Sequence, residues 1–162
     1  MRDTQINKNS FILFLYLTVL SFLSMRKDLI KQFKEKGFVT VPDVFNLSEM
    51  EFYREVIKDA IKERKQHDLR SLEDKSEYEQ SFIQCQNLWE DYPVIRELTF
   101  DQRLGEIASN LLGVSKLRVW HDQALIKEAG GRETDPHHDQ PYWPIKETNT
   151  ITAWIPFCNI SE

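Results

Sequence analysis

The residues best suited to chemistry lie close together, at His137-His138-Asp139. In an extended chain, side chains two apart project from one face, so His137 Nε2 and an Asp139 carboxylate oxygen can converge on one cation while His138 points away. Two imidazoles and one carboxylate on one face of an octahedron form the ligand set of non-haem ferrous sites that leave positions open for cosubstrate and dioxygen. The nitrogens hold the metal and the carboxylate offsets its charge. Alone the pattern says little: four His and 11 Asp in 162 residues supply about 0.3 His-x-Asp triplets by chance.

Context makes the triplet specific. It opens the run His137-His138-Asp139-Gln140-Pro141-Tyr142-Trp143-Pro144, with Thr152-Ala153-Trp154 downstream. Upstream stand Gly37-Phe38-Val39-Thr40-Val41-Pro42, Gln86-Asn87-Leu88-Trp89 and Trp120-His121-Asp122-Gln123-Ala124-Leu125-Ile126-Lys127. In this order and with compatible gaps, the five segments resemble the phytanoyl-CoA dioxygenase family over about residues 26–162. The resemblance implies an α+β, mainly β domain whose core is a double-stranded β-helix (a jelly roll, cupin-like) with helices at its N-terminal side. It also implies Fe(II) and 2-oxoglutarate as cofactors, with ascorbate as the reductant used in vitro.

On the family pattern His137 and Asp139 match the first two iron ligands, and Gln84, Gln123 and Trp154 fall at 2-oxoglutarate contacts. A Gln amide can hydrogen-bond a carboxylate, and an indole can wall a pocket while donating its N–H. Some relatives carry Lys and Met at the two Gln positions, so the resemblance leaves the type of contact open. Halogenating relatives carry Ala or Gly where Asp139 stands, so the resemblance implies hydroxylation of a small organic or acyl substrate by dioxygen. His121 lies upstream of the triplet, whereas the family takes its third ligand from far downstream; a core or supporting histidine is expected. The family's second iron-binding His and the Arg that pairs the far carboxylate of 2-oxoglutarate have no match: no His follows His138, and Arg132 is the only Arg after Arg118. The expectation is the N-terminal part of such a domain, inactive as it stands. Two readings from other classes are a non-catalytic jelly-roll binding module and a membrane-anchored interaction protein.

The elements that must position these groups can be read from periodicity. Leu29, Ile30 and Phe33 followed by Gly37 predict a helix and its stop. Residues 38–41 predict a strand ended by Pro42. Ser48-Glu49-Met50-Glu51 predicts a capping box opening a helix to about Gln66, with Met50, Tyr53, Val56, Ile57, Ala60 and Ile61 facing a core. Residues 67–80 read as a surface loop and 82–88 as a strand. Asp101 and Gly113 bracket a helix with Leu104, Ile107, Ala108 and Leu111 on one face. Beyond Gly113 the period becomes two: residues 117–127, the segment from Pro136, and 150–157 predict strands. Lys127 is expected to reach water from a strand end.

The bulk composition fits a globular chain: 41% hydrophobic, 29% charged, net charge −5. The absence of a basic run excludes a nucleic-acid footprint. Cys85 and Cys158, expected half-buried, lack the spacing of a zinc site or a disulfide framework. Residues 1–24 form a separate apolar leader, Phe11 to Leu23 with flanking charges; the run is shorter than the roughly 20 residues that span a bilayer, and Ser24 with Phe22 two before it makes no cleavage signal. Translation from Met25 is the favoured expectation, with a domain at 25–162 in the cytoplasm; membrane anchoring or export through residues 10–24 is the alternative.

Overall fold

The computed structural model describes residues 27–127 and 129–160; the expected leader at 1–24 lies outside them. The chain divides into two compact units, Met1–Pro42 and Asp43–Glu162. In the first, residues 27–36 are helical (α1), and Gly37 ends them at φ 79° with its N–H on Phe33 O at 2.8 Å. A left-handed residue there is best supplied by glycine, which has no Cβ to clash. Among the described residues, 38–41 pair with no strand, contrary to the sequence expectation. Pattern marks a β-prone segment, but a strand needs a partner for its N–H and C=O groups.

The second unit opens with α2 (Leu47–Lys65). Its cap is Asn46 rather than the expected Ser48: Asn46 Oδ1 accepts from Glu49 N at 3.0 Å, and Glu49 Oε2 accepts from Asn46 N at 2.8 Å. Ser48 donates its hydroxyl to that same Asn46 oxygen instead. Two short helices, α3 (Leu88–Asp91) and α4 (Pro93–Thr99), precede α5 (Gln102–Leu112). As the sequence predicts, Asp101 caps α5 through Arg103 N at 2.8 Å and Gly113 closes it at φ 69°. Arg103 ties the starts of α2 and α5 together through Glu49 and Asp101, and lies 4.3 Å from the Phe45 ring centroid. Its guanidinium holds both carboxyls below their usual range.

Two strands, β1 (Ile83–Gln86) and β2 (Gln123–Ile126), form an antiparallel sheet with Gln86 opposite Gln123 and Gln84 opposite Leu125. Period two gives the sheet unlike faces. Ile83, Cys85, Ala124 and Ile126 pack with Ala60, Ile61, Leu88 and Ile95, the core beneath the sheet. Gln84, Gln86, Gln123 and Leu125 form the opposite face. Cys85 is buried, which pushes its thiol up, whereas Cys158 is exposed, so neither is half-buried as expected. Of the strand expected at 117–127 only Gln123–Ile126 forms, and the extended segments expected from Pro136 and at 150–157 form no ladder, so the described residues hold this sheet alone and do not assemble a double-stranded β-helix. Within them no helix is long and apolar enough to cross a membrane.

Candidate metal centre

The approach to His137 is fastened from both sides. Arg132 N donates to Gln80 O at 3.1 Å, Ser81 Oγ donates to Glu133 O at 3.3 Å, and Arg132 pairs with Glu77 at 3.1 Å. Lys127 Nζ donates to Arg132 O at 2.7 Å and Thr134 Oγ1 at 3.1 Å, and lies 5.8 Å from the centroid of the Phe82 ring. Lys127 is exposed, as expected, and also braces the loop that leads to the triplet. Beyond it, Gln140–Tyr142 make one 3₁₀ turn. The Gln140 amide donates to Glu147 O at 3.1 Å and accepts from Thr150 Oγ1 at 3.2 Å, which fixes the exit path.

Asp139 is helical at φ −71°, ψ −34°, so residues 137–139 are not the regular strand that the same-face argument assumed. Their side chains nonetheless meet: His137 Nε2 lies 3.3 Å from Asp139 Oδ1, with both side chains about half exposed. His137 Nδ1 sits 2.7 Å from Asp135 O. A carbonyl only accepts, so Nδ1 carries the proton in that bond, and in the neutral ring the Nε2 lone pair is free for a cation. Metal–ligand bonds of about 2.1 Å at a right angle put two donor atoms about 3.0 Å apart. The observed pair is within a few tenths of an ångström of that spacing, and its imidazole–carboxylate chemistry fits a ferrous ion. Among the described residues, no three His, Cys, Asp or Glu side chains gather as one metal site.

His121 stands apart from this pair. Its ring makes an edge contact with Trp143, centroids 6.0 Å apart and planes at 80°, and a second with Trp120. Gln84 and Gln123 share the open sheet face as diagonal neighbours, and the Gln84 amide oxygen accepts from Tyr78 OH at 2.9 Å. Trp154 is 73% exposed and no hydrogen bond or ring contact among the described residues joins it to the two glutamines or the triplet. The structure thus brings His137 to Asp139, sets Gln84 and Gln123 diagonally on one sheet face, and leaves Trp154 apart.

A family model of phytanoyl-CoA dioxygenase (PhyH) matches residues 33–162. The chain belongs to the phytanoyl-CoA dioxygenase family. No curated protein and no solved structure gives a significant match. The family is one of dioxygenases and implies a cupin-like jelly roll. Two of its segments, around Leu88-Trp89 and Trp120-Ile126, meet at a residue that sequence reasoning passed over. Asp122 Oδ1 accepts from Leu88 N at 2.8 Å; its Oδ2 accepts from Trp89 N at 3.0 Å and Thr99 Oγ1 at 3.2 Å. Asp122 O accepts from Asn87 N at 3.1 Å. Capping rules look for an acceptor adjacent in sequence, whereas this one arrives 34 residues later.

Proposed function

We propose that this dioxygenase-family chain contributes residues to an Fe(II)- and 2-oxoglutarate-dependent hydroxylase site, acting on a small organic or acyl substrate. His137 and Asp139 are two of the iron ligands. The observation that carries the reading is their 3.3 Å separation, with the other imidazole nitrogen committed to Asp135 O. Bound iron with 2-oxoglutarate supplies the activation of dioxygen. The chain's own part is orientation. The Asp135 carbonyl turns the His137 ring and fixes its tautomer, the Lys127 brace sets the loop, and Gln84 and Gln123 offer amide donors to a carboxylate from one sheet face. Trp154 is the third cosubstrate contact in this reading. Asp139 would supply a carboxylate to the iron where halogenating relatives carry Ala or Gly, which favours hydroxylation in this reading. The domain is residues 25–162, with 1–24 a leader outside it, and the buried free thiol of Cys85 suits a reducing cytoplasm.

The test is anaerobic titration of the chain with Fe(II), read by calorimetry. His137→Ala and Asp139→Ala should each weaken binding by about tenfold or more, the scale on which even outer contacts of a metal site act. His138→Ala should leave it within about twofold, since no hydrogen bond or ion pair involves its side chain among the described residues. Unchanged affinity in Asp139→Ala refutes the assignment.

A further inference from the structure

Two peptide segments far apart in sequence must hold one register if Gln84 and Gln123 are to work as neighbours, and four strand residues a side are a short ladder for that purpose. Asp122 is placed to supply the constraint. It directly precedes Gln123, and its carboxylate takes the amides of Leu88 and Trp89 and the Thr99 hydroxyl. Its own carbonyl takes the amide of Asn87, the residue after β1, so the hydrogen bonding of the pair continues past the last rung. A slip of one residue would turn Gln123 onto the core face and Ala124 outward. It would also strip a carboxylate from two helix amides, leaving charge-assisted bonds unmade. The start of α3 rests in turn on Leu88, only 1% exposed, so the anchor is tied to the core.

We propose that Asp122 is a positioning residue for cosubstrate binding: it locks the β1–β2 register and so presents Gln84 and Gln123, diagonal neighbours on one face, to a carboxylate. This rests on the cosubstrate reading above. The experiment uses the ¹⁵N-labelled chain with zinc(II) as a diamagnetic stand-in for iron, titrated with 2-oxoglutarate and followed by amide shifts. In the parent chain, shifts at Gln84 and Gln123 should move on addition. Asp122→Ala should weaken 2-oxoglutarate about tenfold while the zinc affinity stays within twofold. Asp122→Asn, which keeps an oxygen for Leu88 N, should fall between. Leu111→Ala, a destabilising change in α5, is the control for lost stability alone. Should Asp122→Ala not fold, Thr99→Val keeps the carboxylate and removes one of its donors; a two- to threefold loss of affinity is expected, and none overturns the proposal. It is also overturned if Asp122→Ala weakens 2-oxoglutarate no more than Leu111→Ala, or weakens zinc equally. If the parent chain binds zinc but 2-oxoglutarate moves neither glutamine, the cosubstrate reading itself fails and this proposal with it.

Discussion

At the scale of single residues, the consequential contacts are those that turn a ring or hold a loop. Lys127 shows this best, because its ammonium bonds two groups of the loop before His137 and lies over the Phe82 ring. Lys127→Met keeps most of the stem and removes the donors. The expected outcome is a fall in Fe(II) affinity of about tenfold, as for supporting groups at other metal sites, with the melting temperature nearly unchanged. Calorimetry beside a thermal melt checks it, and equal affinity would mean that the loop holds its shape without the brace. His137 and Asp139 were legible because residue type and spacing travel with the sequence. The braces were not: Asp135 acts through its carbonyl, which every residue has, and Asp122 reaches amides 34 and 33 positions away. Side-chain chemistry leaves a trace in composition, whereas backbone acceptors and long-range caps leave none.

At the scale of elements, what could be read was what local rules determine. α2 and α5 carry their caps, stripe and stop within their own stretch of sequence, and only the Asn46-for-Ser48 shift needed correction. α3 and α4 are too short to show a period, although Pro93 at the first position of α4 was a usable sign. Strand patterns at 38–41, 117–122 and 150–157 describe faces without naming partners, and ladders depend on partners. The segment 67–80 looked formless yet is knitted by charge. Arg70 donates to Asp68 and Glu79, and Ser76 donates to Glu79 through its amide and hydroxyl. Arg70 first, then Ser76, pull the Glu79 carboxyl from 4.5 down to about 2. A carboxyl lowered on folding contributes stability above its ordinary value and loses that contribution as pH falls through the folded value. Acidification from pH 4.5 towards 2 should therefore loosen this segment before α2. Amide exchange, corrected for its intrinsic rate, should show Gln80 and Ser81 losing protection while Ala60 and Ile61 keep theirs; equal loss at all four would contradict a local ion-pair effect. In the core, Leu88→Ala should cost about 2–5 kcal/mol in chemical denaturation, as truncations of well-packed leucines do.

At the scale of the molecule, the family sets a requirement that these residues meet in part. The described fold pairs two strands over a helical core and leaves Trp154, Leu125 and Trp120 substantially exposed. No His follows His138, and Arg132, the last Arg, is engaged with Glu77 in the loop before the triplet. A facial triad needs its third ligand to fix geometry and leave the correct positions open. The proposed cosubstrate, 2-oxoglutarate, would gain from an Arg on its far carboxylate, since hydrogen bonds to charged groups are worth roughly 1.5–3 kcal/mol each. On the site proposed above, which gathers only two ligands among the described residues, the 162-residue polypeptide assayed alone with Fe(II), ascorbate and 2-oxoglutarate should form no succinate above the rate seen with His137→Ala. Binding of metal without turnover is the outcome this arrangement supports. Succinate formed by the parent chain and lost in His137→Ala would show that a residue already present completes the site. His121 is the first to test, because leaving the edge of Trp143 would free its imidazole, and His121→Ala would then abolish the activity while His138→Ala would not.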